Sequence, residues 1–213
     1  MAAPIIYGPN YSTYARSLRL ALEEKGVEYK LEEINILAGE GQAPQHVARH
    51  PFGKVPAFAH DGFTLYESAA IERYIDEAFP GTKLQPADLK RRTRMAQIVG
   101  VIDSYAYPAL IGKVLIQRLM PMLGGTTDEK VIADAMPMVE KSLAALESLA
   151  DGAGPFLCGA DLSLADLHLA PVIAYFADLP EGKKLLPNSP RLNRWWQAMS
   201  KRPSVVRTQP KLG

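Results

Sequence analysis

The hydrophobic pattern of this 213-residue chain changes once, at Pro80-Gly81, and that change limits the folds open to it. Before this point short β-rich segments alternate with helical ones, whereas from about Asp88 every periodic segment is helical. A chain of this length can form two small domains. The pattern therefore predicts an α/β domain over residues 1–80, a linker over 81–87 and an all-helical domain over 88–213.

The first domain is predicted to have the element order βαβ, a connecting segment, and then ββα. Asp61-Gly62 stands between two short apolar runs and is a strong signal for a β-hairpin. The first helix is expected to stop at Gly26. The other elements expected from their periodicity are strands at Pro4–Tyr7 and Val27–Ile36 and helices at Tyr14–Lys25 and Glu67–Phe79.

One helix start in the second domain is specified in detail by its sequence. Ser163 and Asp166 stand three residues apart, the spacing at which each side chain bonds the other's backbone N–H. Leu162 and Leu167 flank them at the positions of a hydrophobic staple. This pattern predicts a capped helix and carries no chemistry of its own.

Composition excludes several classes of protein. The formal net charge is +1 and no basic run is interleaved with aromatic residues, so nothing indicates a nucleic-acid surface. The single cysteine, Cys158, rules out a disulfide framework, fits a reducing compartment and is expected to be a small buried residue. We find no apolar run close to the roughly 18 residues of a membrane span and no signal peptide, so we expect no membrane association and a cytoplasmic location.

The four histidines lack the spacing of metal ligands, and we predict no metal site. His168 is expected to be a core residue that bonds locally.

Four motifs, in their order and spacing, resemble the cytosolic glutathione S-transferases over nearly the whole chain. They are Lys54-Val55-Pro56, Tyr66-Glu67-Ser68, Leu162-Ser-Leu-Ala-Asp166 and Arg202-Pro-Ser-Val205. The resemblance implies a thioredoxin-like α/β domain followed by an all-helical domain. It also implies an enzyme with no covalently bound cofactor that uses glutathione as co-substrate and conjugates it to a hydrophobic electrophile.

The resemblance assigns a set of glutathione-binding residues. A cis Val55–Pro56 bond, which costs only about 0.5–1 kcal/mol before proline, would turn the peptide groups of Val55 toward an extended peptide. An ordinary loop proline is the alternative. Glu67 and Ser68 open a helix where an anion is favoured, and Ser68 can also act as the N-cap of that helix, since one role does not exclude the other. The remaining assigned residues are Gln42 and Lys54 for the glycyl carboxylate and Asp103 for a contact across a dimer interface, or as a solvated carboxylate.

Ser12 is the first choice for the residue that stabilises the glutathione thiolate. The segment Gly8-Pro-Asn-Tyr-Ser-Thr-Tyr-Ala-Arg16 resembles the serine branches of the family, the phi and theta classes, and Ser12 matches their hydroxyl. Thr13, Tyr11 and Tyr7 are the alternatives. Since no cysteine precedes residue 158, a redox Cys-x-x-Cys and a catalytic cysteine are both absent from the first domain.

The resemblance further predicts a homodimer and an apolar site for the second substrate. Candidate residues for that site are Tyr11, Tyr14, Tyr105, Tyr107, Ile111 and Leu115, although aromatic residues at helical spacing also fit core packing. Two other functions stay open: a glutathione-binding protein with little transferase activity, and a glutathione-dependent hydroperoxide reductase.

Overall fold

A computed structural model of the chain describes residues 2–210, which form two units. The first comprises the described residues up to Gln85 together with those from Arg202 onward, and the second is Pro86–Lys201. This division follows the change of pattern at Pro80-Gly81 closely, but it differs from the predicted domains at the carboxyl end.

The first unit contains a four-stranded mixed sheet in the order β2-β1-β3-β4. β1 pairs in parallel with β2 and antiparallel with β3, which forms the predicted hairpin with β4. Asp61 and Gly62 both have positive φ, as a tight hairpin turn requires. The bounds are β1 Ile5–Tyr7, α1 Thr13–Lys25, β2 Lys30–Glu32, α2 Pro44–Val47, β3 Ala57–His60, β4 Phe63–Tyr66 and α3 Ser68–Ala78.

The core of this unit lies where α1 packs against α3 beside the sheet. Leu18, Leu22, Phe58, Ile71 and Ile75 are all inaccessible to solvent. Helix α1 ends at Gly26, whose φ of 68° is the left-handed conformation expected of a helix-terminating glycine.

A buried ion pair fixes the chain just after α3. The Lys25 ammonium lies 3.1 Å from the Asp76 carboxylate, which also accepts hydrogen bonds from the Leu84 N–H and the Gln85 amide. Because an unpaired buried charge is costly, each partner depends on the other.

The second unit is helical and forms no strand over Pro86–Lys201. Its first helix continues from α4 through two π-helical stretches, Ile102–Ala106 and Leu110–Leu115, on either side of Pro108. Proline has no N–H to donate, so the regular hydrogen-bond ladder is interrupted there. The helices are α4 Leu89–Val101, α5 Tyr107–Ala109, α6 Ile116–Leu119, α7 Glu129–Leu149, α8 Leu164–Asp178, α9 Pro180–Leu185 and α10 Pro190–Met199.

The continuous helical run Leu89–Leu123 is long and apolar enough to cross a membrane by length and composition, contrary to our expectation from the sequence. Half of its most apolar window is buried inside the structure, and its segments pack against α7 and α8. This is the environment of a core helix. The apolar residues that raise its hydropathy therefore serve packing within the unit.

The carboxyl-terminal segment carries the last helix, α11 (Pro203–Arg207), and belongs to the first unit, so the predicted domain of residues 88–213 was wrong at its end. Arg202 holds the Glu24 carboxylate at 2.6 and 2.7 Å, and the Ser204 hydroxyl donates to the same group. The buried Arg16 guanidinium donates to the Val205 carbonyl at 2.9 Å. Burial alone would raise the pKa of Glu24, but the hydrogen bonds from Arg202 and Ser204 lower it overall, so the pair stays charged at neutral pH.

The predicted capping box at the start of α8 is confirmed. The Asp166 carboxylate is fully buried and accepts four hydrogen bonds of 2.7–2.8 Å. They come from the Ser163 N–H and hydroxyl, the Leu157 N–H and the Trp195 indole N–H. The capping residue therefore also ties α8 to α10 and to the loop before it.

We expect Asp166→Ala to lower the free energy of unfolding by at least about 3 kcal/mol, since several buried donors lose their acceptor at roughly 1–3 kcal/mol each. Asp128→Ala is the matched control. Asp128 caps α7 at an exposed position, with bonds to the N–H groups of Lys130 and Val131, and its loss should cost only about 0.5–2 kcal/mol. Urea denaturation measures both variants. Equal losses would contradict the central role given to Asp166.

Candidate active site

Strand register brings three of the predicted segments to one end of the sheet. Tyr7 at the end of β1 pairs with Ala57 at the start of β3, and Ala57 pairs with Tyr66 at the end of β4. The chain beyond these residues holds Ser12 after β1, Val55-Pro56 before β3, and Glu67-Ser68 after β4. Three stretches that are far apart in sequence are therefore neighbours at this end of the sheet.

Ser12 is the N-cap of α1, and its hydroxyl oxygen accepts a hydrogen bond from the Ala15 N–H at 3.2 Å. A hydroxyl that accepts in this way still has its own proton to donate. Ser12 is partly exposed, whereas the neighbouring Thr13 is only 5% exposed. Of the two adjacent hydroxyls, Ser12 is the one that a ligand reaches more readily.

The two tyrosine alternatives lie in different surroundings. Tyr7 is buried in β1, and the Arg49 guanidinium stands 4.1 Å from the centre of its ring. Tyr11 is 36% exposed on the loop before α1. Burial and the Glu33 charge raise the pKa of Tyr11, so this phenol keeps its proton at neutral pH.

The Val55–Pro56 bond is cis, as predicted. Neither peptide group of Val55 forms a hydrogen bond within residues 2–210, and its side chain is partly exposed. A Cβ atom placed on Gly8 would lie 3.3 Å from the Val55 Cβ, so the loop that leads to Ser12 runs directly beside Val55. An extended ligand strand is thus offered one unpaired N–H and one unpaired C=O beside the Ser12 loop.

Helix α3 begins with open backbone donors. Glu67 is its N-cap and has a φ of 70°, which is unusual for a residue with a side chain. No side chain caps this end, and the N–H groups of Ser68 and Ala69 have no partner among the described residues. Ser68 is the first residue inside the helix, so its alternative role as N-cap is wrong.

Gln42 and Lys54 are both exposed; Gln42 ends a 3₁₀ turn, Glu40–Gln42, and Lys54 lies in the loop after α2, which packs closely against that turn. Gly53 has a φ of 62°, and a Cβ there would collide with the Gln42 amide and lie 2.8 Å from the Gly41 carbonyl oxygen. The loops approach this closely only because both positions are glycine. Sequence reasoning named Gln42 and Lys54 but missed Gly41 and Gly53, which allow the backbone beside Gln42 to approach the backbone beside Lys54.

Asp103 and the helical candidates lie in the second unit. His168 is buried, and its Nε2 lies 2.8 Å from the Asp103 carboxylate, which is 40% exposed. His168 is a buried core residue, as expected, and this bond joins it to a residue 65 positions away along the chain. Of the other candidates here, Tyr105 is exposed and Tyr107 partly exposed, whereas Ile111 and Leu115 are buried.

Cys158 is buried, as expected. Burial raises the pKa of its thiol to about 11, so it is not a thiolate at neutral pH.

Two family models match the chain. The "Glutathione S-transferase, N-terminal domain" model matches residues 5–77, and the "Glutathione S-transferase, C-terminal domain" model matches residues 107–203. The chain belongs to the glutathione S-transferase family.

Relatives within this family are similar over almost their whole length. Glutathione S-transferase 1 of Zea mays is 33% identical, and the alignment covers 96% of this chain and 95% of the relative. The crystal structure of glutathione transferase F7 from Populus trichocarpa has a TM-score of 0.85 at 30% identity, with 97% of each chain covered. Maize glutathione S-transferase I in complex with an atrazine glutathione conjugate has a TM-score of 0.83 at 33% identity, with 97% of this chain and 96% of that one covered. The predicted fold is confirmed, and these relatives fit the serine-type, phi-like group.

We expect Gly53→Ala to destabilise this transferase-family chain more than Gly26→Ala. Both glycines have φ near +65°, so alanine costs about 1–2 kcal/mol at either position. A Cβ on Gly26 meets nothing within 4 Å, whereas one on Gly53 also collides with Gln42 and Gly41. Equal unfolding midpoints for the two variants in urea would show that the two loops separate freely.

Proposed function

We propose that this chain is a glutathione transferase that binds glutathione at the shared end of β1, β3 and β4, uses Ser12 to favour its thiolate, and conjugates the sulfur to a hydrophobic electrophile. The observation that carries the proposal is the register of Tyr7, Ala57 and Tyr66. This register brings the Ser12 hydroxyl, the unpaired peptide groups of Val55 and the open start of α3 to one end of the sheet. Relatives named as glutathione transferases align with this chain over almost their whole length.

Each polar part of glutathione has a complementary group at this end of the sheet. Its cysteinyl unit pairs in β fashion with the free N–H and C=O of Val55. Its γ-glutamyl carboxylate accepts hydrogen bonds from the open N–H groups of Ser68 and Ala69, where the helix dipole favours an anion. The Glu67 carboxylate binds the amino group of the same unit. The glycyl carboxylate is bound by the side chains of Lys54 and Gln42.

Ser12 serves the sulfur and the helix at the same time. A free thiol has a pKa near 8.5 and is mostly protonated at neutral pH. The Ser12 hydroxyl donates its proton to the sulfur while it accepts from the Ala15 N–H, and each bond strengthens the other. The amino end of α1 adds a partial positive charge. These effects lower the pKa of the bound thiol and raise the fraction of thiolate.

The electrophile is apolar in this proposal, and Tyr11, which is 36% exposed and adjacent to Ser12 in the sequence, is a candidate residue to contact it. The atrazine conjugate bound by the maize relative is compatible with an aromatic electrophile. We place the enzyme in the cytoplasm, where glutathione is abundant.

We expect Ser12→Ala to raise the pKa of bound glutathione and to lower kcat about ten- to a hundred-fold, because a hydrogen bond to a charged group is worth about 1.5–3 kcal/mol. Affinity for glutathione should stay nearly unchanged. Since the cap is lost as well, the free energy of unfolding should fall by about 0.5–2 kcal/mol. Thiolate absorbance of the complex, titrated against pH, measures the first effect.

Two variants separate the roles of Ser12. Asp88→Ala removes the N-cap of α4, whose carboxylate accepts from the Arg91 N–H at 2.9 Å, and should cost stability alone. Thr13→Ala removes the neighbouring hydroxyl and should leave the thiolate titration as it is. A shifted titration for Thr13→Ala with an unshifted one for Ser12→Ala would move the assignment to Thr13, and two unshifted curves would move it to Tyr11 or Tyr7.

We further propose a homodimer. Phe52 and Tyr66 are 67% and 38% exposed and their rings lie 6.3 Å apart, so they form one apolar surface, and Phe63 at the other end of β4 is 50% exposed. Such a surface is typical of a protein interface. Light scattering at micromolar concentration should give a dimer mass, and Phe52→Ser should shift the equilibrium toward monomer. A wild-type monomer would remove both the dimer and a cross-subunit role for Asp103.

Among the described residues, no feature favours the two other functions that the sequence left open. Retention on glutathione–agarose together with conjugation of chloro-dinitrobenzene tests the transferase proposal directly. Retention without turnover would indicate a binding protein, and hydroperoxide reduction without conjugation would indicate a reductase.

A further inference from the structure

Two buried histidines lie behind the loop that carries Lys54 and Val55. His46 in α2 is 2% exposed, and His50, four residues later, is 3% exposed. Their rings stack at a centroid distance of 6.3 Å, and His50 also lies 5.0 Å from the ring of Tyr66. Neither histidine has a part in the function proposed above.

The His46 ring forms a hydrogen bond with the backbone of Lys54. Its Nε2 lies 2.7 Å from the Lys54 carbonyl oxygen. A carbonyl oxygen only accepts, so Nε2 carries the proton and donates it. The other ring nitrogen, Nδ1, is buried without a partner among the described residues. The imidazole therefore directs its hydrogen bond to Lys54.

That carbonyl belongs to the same peptide unit as the N–H of Val55. The Lys54–Val55 bond is trans, so its six atoms lie in one plane, and the N–H points opposite to the C=O. A donor that fixes the direction of the carbonyl thereby fixes the direction of the Val55 N–H. This N–H is one of the groups that the proposed function pairs with the cysteinyl unit of glutathione.

We propose that His46 is a positioning residue for glutathione: by holding the Lys54 carbonyl from behind, it aims the Val55 N–H at the substrate and sets the place of the Lys54 side chain. The inference rests on the proposed function and deepens it. His46 touches no substrate atom and acts only through this peptide unit.

The surroundings of His46 support this role. Its ring is held in place by the stack on His50, which in turn rests on Tyr66 at the end of β4. Burial lowers the pKa of His50 more than the nearby Glu67 charge raises it, and His46 and Lys54 lower it further, so His50 is neutral at neutral pH. A neutral neighbour leaves the hydrogen bond of His46 undisturbed.

The test compares three variants. His46→Phe keeps the ring and the stack but removes the donor, and should raise both the Kd and the KM for glutathione about ten-fold. The kcat at saturating glutathione and the pKa of the bound thiol should stay at wild-type values. His46→Gln restores an N–H donor and should recover most of the affinity. Calorimetric titration gives Kd without relying on turnover.

His60→Phe is the third variant and the matched control. His60 is also buried in the first unit and lies 2.9 Å from the Tyr74 hydroxyl, and among the described residues no hydrogen bond, ion pair or ring contact joins it to Lys54 or Val55. Its loss should lower the unfolding midpoint and leave Kd unchanged. If His46→Phe does not yield folded protein, His46→Leu removes the donor in its place.

The outcomes separate this inference from the proposed function. A wild-type chain that neither binds nor conjugates glutathione overturns both. A wild-type chain that does so, with His46→Phe at the wild-type Kd, overturns the positioning role alone. The positioning role also fails if His46→Phe lowers kcat without changing Kd, or if His46→Gln binds no better than His46→Phe.

Discussion

The antiparallel register that aligns Tyr7, Ala57 and Tyr66 across the sheet is the constraint on which the site depends. Because a strand alternates its faces, a slip of one residue in β3 would exchange the inward and outward side chains of the strand. It would also move Val55 away from the ends of β1 and β4. The buried Phe58 in β3, which pairs with the buried Ile6 of β1, opposes such a slip because its side chain would leave the core. Core packing thus sets the positions of groups that take no part in it.

Most of the polar groups at this edge are backbone groups that the fold leaves unpaired. Buried or partly buried peptide groups normally find partners, so open donors at Val55, Ser68 and Ala69 suit a ligand that supplies them. Ser12 is a similar case, because its hydroxyl oxygen caps α1 by accepting from the Ala15 N–H while its proton stays available to a ligand. Capping and thiol activation are therefore two uses of one hydroxyl.

Much of the fold and part of the site could be predicted from the sequence because their signals are local. The Asp61-Gly62 turn, the end of α1 at Gly26 and the Ser163–Asp166 capping box each depend on residues within one turn of one another. The assignment of Ser12, Val55 and Glu67 depended instead on motif resemblance. The strand predicted at Val27–Ile36 forms only over Lys30–Glu32, because periodicity does not specify how many residues find a partner strand.

By itself the sequence determined the two-part organisation, the capped and terminated helices and the hairpin, since each follows from conformational preferences and contacts within a few residues. Only the tertiary structure decided which distant groups meet. It brought Asp103 within hydrogen-bond distance of His168, and Arg202 and Ser204 within that distance of Glu24. It also directed the His46 ring at the Lys54 carbonyl. These pairings form when packed elements bring the groups within about 3 Å, and no spacing along the chain encodes that distance.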